Sequence, residues 1–110
     1  MANSFKRKLS ANIGTSYTDV GSYVVPASNV ATIIGLSLAN TANTGITVDV
    51  TVNATTQFFV VKSAPIPVGG SLVAVGGDQK IVLEAGDSIL LKSDTATSLD
   101  AVLSILETTL

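Results

Sequence analysis

The side chains able to do chemistry in this 110-residue sequence are carboxylates, amines and hydroxyls: eight Asp and Glu, six Lys and Arg, 12 Ser and 13 Thr, with no Cys and no His. Without His, the usual general base, the usual zinc ligand and the physiological-pH switch are all missing. Without Cys there is no thiol nucleophile, no disulfide framework and no thiolate metal site. A Ser-His-Asp triad is therefore impossible, and no Gly-x-Ser-x-Gly elbow occurs. Gly76-Gly77-Asp78 is no phosphate loop, since it puts an acid where bare backbone donors and a lysine are needed. Asp78, Glu84, Asp87 and Asp94 are the carboxylates that a glycosidase pair or a calcium site would have to use. Asp78 and Asp87 follow glycines, where Asp commonly bonds its own backbone, and no alternating calcium-loop spacing is present. The inventory argues against an enzyme and calls for no metal or cofactor.

Sugar recognition is the next chemistry to test. A sugar site usually needs an aromatic platform, and the aromatics here are Phe5, Tyr17, Tyr23, Phe58 and Phe59, with no Trp. Phe58 and Phe59 are adjacent, so on a strand they face opposite sides. The expectation is one core residue and one surface anchor, the latter more in keeping with a protein interface than with a sugar. Nucleic acid is disfavoured because basic and aromatic residues do not interleave.

The net charge of -2 hides an asymmetry. Lys6, Arg7 and Lys8 supply half of the basic residues, while positions 9–110 hold three Lys against eight acids. That segment reads in two ways: a basic arm (residues 1–8) that meets an acidic partner, or a solvated first strand whose lysines guard an edge. The second reading is preferred. The same charges could open a signal peptide, but Ser10, Asn12, Gly14 and Thr15 break any apolar run behind them. The longest apolar stretch, Val30 to Ala39, falls well short of the roughly 20 residues of a membrane helix. The expectation is a soluble chain that neither crosses a membrane nor is exported by the general route.

These side chains must be carried by strands. Val, Ile and Thr make up 35 of the 110 residues, and such residues favour strands over helices. Ile46, Val48, Val50 and Val52 alternate with Thr47, Asp49, Thr51 and Asn53, a half-buried strand. Leu99, Ala101, Leu103 and Ile105 alternate with a second, fairly apolar set, so this strand is expected to lie centrally or to form a contact surface. Phe5, Leu9, Ala11 and Ile13 share a face with Arg7 as the exception. Ile34, Leu36 and Leu38 take one side of a third strand, with Ile33 opposite. Asn40 to Gly45 reads as a loop, and Gly76-Gly77-Asp78-Gln79 and Ala85-Gly86-Asp87 as tight reversals. Pro65 and Pro67 exclude a central strand and suggest an extended crossover. Eight or nine short strands without helical period predict one all-β domain over residues 1–110. Its expected architecture is an antiparallel β-sandwich of jelly-roll type.

Read as one unit, the second half resembles a known family. The run Phe59 to Leu72 with its Pro65-x-Pro67-x-Gly69 segment, then Gly76-Gly77-Asp78-Gln79, then Leu83-x-x-Gly86-Asp87-x-Ile89 and Ser104-Ile105-Leu106-Glu107, is similar to small virion proteins of tailed bacteriophages. The likeness is notably to those of phages of cyanobacteria and other marine hosts, and it includes the opening Ser4 to Ser10. It implies a virion component, made in the host cytoplasm, and the place expected for it is the capsid surface. There it would act as a decoration or cement protein against the major capsid protein or another virion protein. It also implies a homo-oligomer, with a trimer expected from lattice symmetry. Lys6, Arg7, Lys8, Phe58 and Phe59 are the expected partner contacts. A neck or tail ring component is the alternative, and a carbohydrate-binding module for host attachment comes third.

Overall fold

A computed structural model describes residues 2–76 and 79–110, and every regular element in it is a strand. The strands are β1 (Ala2–Ile13), β2 (Thr18–Val24), β3 (Asn29–Asn40), β4 (Ile46–Ala54), β5 (Thr56–Ile66), β6 (Ser71–Val75), β7 (Ile81–Leu83), β8 (Ser88–Ser93) and β9 (Leu99–Thr109). Sheet A has the order β1-β9-β3-β6, with β7 also on β3; sheet B has the order β2-β8-β4-β5. All pairings are antiparallel: β1 with β9, β2 with β8, β3 with β6 and β7, and β4 with β5. The first half of the chain thus runs back along the second as a double ribbon that wraps over both sheets. That winding is a jelly roll.

The core fills the space between the sheets. Ile33, Leu36 and Leu38 of β3, Leu99, Leu103 and Ile105 of β9, and Val48, Val50, Ile89 and Leu91 of sheet B are all buried. The alternation in β4 appears as expected, with Ile46, Val48 and Val50 inward. Thr51 is the departure: it is polar yet fully buried, and its hydroxyl donates to the Leu90 carbonyl at 3.3 Å. Asn40 closes the end of β3. Its Nδ2 donates to the carbonyls of Thr44, Ile66 and Pro67, and its Oδ1 accepts the Ala42 N–H at 2.8 Å. One side chain so ties the 41–45 loop to the start of the crossover to β6.

Three local readings need correction. In β1 the register with β9 shifts between Ser10 and Ile13, where Asn12 adopts a left-handed φ of 58°. This bulge inverts the alternation. Ile13 is buried, whereas Phe5, Leu9 and Ala11 face outward, so the four do not share a face. In β3 a second shift between Ile33 and Gly35 sends Ile33 into the core with Leu36 and Leu38, and leaves Ile34 only half-buried. Finally, β6 and β7 do not form a hairpin with each other. β6 pairs with Leu36–Ala39 and β7 with Ala31–Ile33, so they are two pieces of one interrupted edge strand along β3. Gly77 and Asp78 of that interruption lie outside the described residues.

The prolines fall where their missing donor does least harm. Pro65 pairs with Thr47 in β5, an edge strand of sheet B. The crossover to sheet A then begins at Pro67, whose carbonyl accepts the Gly70 N–H at 2.9 Å.

Candidate functional site

The outward face of sheet A is the most unusual surface of the molecule. Strand register places its side chains in rows. Phe5, Leu106, Thr32 and Val82 lie side by side across β1, β9, β3 and β7. Four residues along, Leu9, Val102, Ser37 and Val73 form a parallel row across β1, β9, β3 and β6. Between them lie Arg7, Ser104 and Gly35. Phe5 is 79% exposed, Val73 64%, Val82 60%, Leu9 51% and Val102 44%. A hollow of about 390 Å³ opens at the β1 bulge, bounded by Leu9, Ala11, Asp100 and Val102. Scattered exposed apolar residues are ordinary, but five on one face, flanking the small polar Thr32 and Ser37 of β3, mark an interaction surface.

The basic triplet is divided by the pleat. Lys6 and Lys8 stand opposite Ile105 and Leu103, on the inward side, and Arg7 stands opposite Ser104, on the outward side. Lys6 Nζ lies 2.9 Å from Glu107 Oε1, a carboxylate with only 8% of its side chain exposed. The Tyr23 hydroxyl of β2 donates to Glu107 Oε2 at 2.6 Å, and Lys8 Nζ sits 5.3 Å above the Tyr23 ring. Tyr23 first, then Lys6, hold the Glu107 carboxyl below the usual value, against the desolvation that opposes it. Burial and this same carboxylate push the Tyr23 phenol up. Next along the seam, the Ser10 hydroxyl accepts the Gly21 N–H at 2.8 Å. This polar seam joins β1 and β9 of sheet A to β2 of sheet B beside the buried Val20 and Ile13.

Phe58 and Phe59 are both exposed, at 58% and 50%, so neither is a core residue. An extra residue, Val60, shifts the β4–β5 register just after them. They lie close to the turn at Thr55, near the start of β5. Phe59 carries Lys62 Nζ at 5.2 Å above its ring.

Asp49, Asp87 and Asp94 are each bonded to backbone N–H groups of their own chain. Asp87 Oδ2 accepts the Glu84 N–H at 3.0 Å, the turn chemistry its glycine neighbour suggests. Asp49 and Asp94 border a polar depression of about 300 Å³ with Thr15, Thr47, Ser63 and Lys92. Asp49 Oδ1 accepts the Ser63 N–H at 2.7 Å, and Asp94 Oδ1 the Thr47 N–H at 3.1 Å. The Thr47 backbone and then the Thr95 hydroxyl hold the Asp94 carboxyl below its usual value. Lys92 is shared between Asp49, at 4.0 Å, and the Tyr17 ring, at 4.9 Å. Asp19 on β2 has one buried carboxylate oxygen without a protein partner. Asp78 lies outside the described residues. Among those residues, no three carboxylates gather into a possible metal site.

The outward face of sheet A was only partly visible in the sequence. The second apolar set of the Leu99–Leu106 strand signalled a contact surface, and β9 is indeed central, between β1 and β3. Nothing local linked Phe5 or Leu9 to Val73 and Val82, which reach the same face only through pairing across four strands.

No protein-family model matches the chain, and no curated protein matches it, so the marine-phage resemblance gains no support from sequence families. Solved structures do share its fold. A chain from the disulfide-linked pili of Bacillus endospore appendages is 12% identical, with a TM-score of 0.54, over 99% of this chain and 88% of that one. A chain from the acidic stable capsid structure of Helicobacter pylori bacteriophage KHP30 is 9% identical, with a TM-score of 0.56, over 97% of this chain and 87% of that one. At such identities the likeness is one of fold, a jelly roll that recurs in chains of assembled particles and fibres.

Proposed function

We propose that this chain is a structural protein of a phage virion, a decoration or cement protein that seats on the outside of the head and braces neighbouring capsomers. The observation that carries the reading is the outward face of sheet A, which exposes Phe5, Leu9, Val102, Val73 and Val82 around the small polar Thr32 and Ser37 of β3 and bears few charges. Such a face costs solubility in a free monomer and is useful when it is covered permanently. The reading excludes catalysis as the role, in keeping with Asp49, Asp87 and Asp94 bonded to backbone N–H groups and the absence of Cys and His.

Two comparisons bear on the choice of assembly. The fold is shared with a chain of a phage capsid structure and with one from disulfide-linked pili. The pilus mode of linkage needs cysteines, and this sequence has none, which favours the capsid type of role. The exposed pair Phe58 and Phe59, away from that face, are the proposed contacts with the shell. A cryo-electron map of the virion whose genome encodes the chain tests the proposal. Density outside the head at hundreds of copies supports it; about six or twelve copies around the connector would move the protein to the neck or tail.

A further inference from the structure

We propose that two copies of the chain pair face to face through the outward side of sheet A, about a two-fold axis that runs along the strands between β9 and β3. This inference rests on reading that face as an assembly surface, and it names the occupant. The arrangement of side chains is self-complementary. The bulky apolar residues stand in the flanking strands, with Phe5 and Leu9 in β1 and Val82 and Val73 in β7 and β6. The central strands carry Leu106 and Val102 beside the smaller Thr32 and Ser37. The proposed axis carries β1 over the other copy's β6 and β7, with rows kept in step. Phe5 then meets the partner's Val82, and Leu9 meets the partner's Val73.

Charge permits this pairing. Arg7 lies on one flank of the face, so the two guanidinium groups of a pair end up on opposite sides. They are about three strand spacings apart, roughly 14 Å. Asp100, at the end of the face, is already bonded to the Asn12 N–H at 3.0 Å. Size permits it too. Four strands at about 4.8 Å and nine residues at about 3.3 Å give a footprint of roughly 600 Å² per copy. A pair then buries about 1,200 Å² in all, within the range of specific interfaces. Two sheets packed this way keep their strands nearly aligned, as sandwich sheets do.

Cysteine cross-linking in the full chain tests the pairing, and the natural absence of cysteine makes the readout clean. Leu9 and Val73 of one copy are separated by β9 and β3, about 14 Å, which a linker of about 10 Å does not span within a chain. Facing sheets stand about 10 Å apart, so a bismaleimide of that span should join the double variant Leu9→Cys with Val73→Cys into a covalent dimer, while either single variant stays uncrosslinked. The unmodified chain should sediment with twice its mass of 11.2 kDa. A monomer or trimer at about 100 µM, or a cross-link between two Leu9→Cys chains, overturns the pairing. A monomer that still decorates heads would overturn the pairing and spare the proposed function. A dimer absent from virions would do the reverse.

Discussion

The Tyr23 hydroxyl donates to the Glu107 carboxylate at 2.6 Å, and this bond ties sheet B to sheet A. It turns a buried acid, ordinarily a liability, into the anchor for an edge strand. Lys6 completes the arrangement from β1 at 2.9 Å.

This seam contributes to stability at both the acid and the alkaline side. The folded Glu107 lies below its ordinary value of 4.5, so it adds stability above that pH and loses it as pH falls through the folded value. Tyr23 is raised above 10.0, so its contribution holds below that pH and is lost only in stronger alkali. Stability should be flat between these limits and fall on the acid side. Tyr23→Phe removes a donor from a buried charge and should cost about 1–3 kcal/mol. It should also move the acid transition to higher pH. Denaturant unfolding as a function of pH reads both, and an unchanged acid limb in Tyr23→Phe contradicts the assignment.

Gly21 lets β2 approach β1. Its φ is +59°, and an added Cβ would lie 2.9 Å from the Lys8 Cβ and 3.3 Å from the Leu9 nitrogen. Gly21→Ala should therefore destabilise by more than the ~1–2 kcal/mol of a left-handed alanine alone. Gly86→Ala is the control: its φ is +87° but no atom lies within 4 Å, so it pays the backbone cost without the clash. Thermal unfolding should rank Gly21→Ala as the less stable of the two.

Asn40→Ala should cost about 2–4 kcal/mol, because one side chain serves three carbonyls and one N–H. Asn40→Asp should not rescue it, since a carboxylate accepts from Ala42 but cannot donate to the three carbonyls. Equal stability of Asn40→Asp and the unmodified chain would refute the donor role.

Much of this fold is legible in the residues themselves. The Ile46–Asn53 alternation marks β4, the doubly apolar Leu99–Leu106 run marks a central strand, and the prolines of 65–67 mark an edge and a crossover. What periodicity cannot show is a single inserted residue. The bulges near Asn12 and Ile34 each reverse which side chains enter the core, and neither has a local signal stronger than an asparagine or a glycine. Partner choice is equally hidden: Leu72–Val75 and Ile81–Leu83 look like a hairpin because they are neighbours, yet both lie along β3. The site suffers from both limits. Lys6, Arg7 and Lys8 stand out by charge, but only the register with β9 turns two of them inward to Glu107 and Tyr23 and one outward. Phe58 and Phe59 stand out by size, but only the shift at Val60 and their place near the start of β5 leave both exposed.

A charge on the outward face should separate folding from assembly. Val102→Glu changes an exposed side chain on β9, so its effect on unfolding should stay within about 0.5 kcal/mol. It should nevertheless abolish incorporation into particles. Loss of folding in this variant would instead show that the face matters to the monomer.

The most direct test of the account asks whether this face is covered where the protein works. Val102→Cys and Val68→Cys each introduce the chain's only thiol at an exposed site, the second on the Pro67–Gly70 crossover. Their reaction rates with a maleimide, in the dilute free chain and in assembled particles, report cover at each place. The account predicts that Val102→Cys reacts freely in the chain diluted until it sediments as a monomer and is protected at least tenfold in particles, while Val68→Cys changes less. Equal reactivity of Val102→Cys in both states would contradict it.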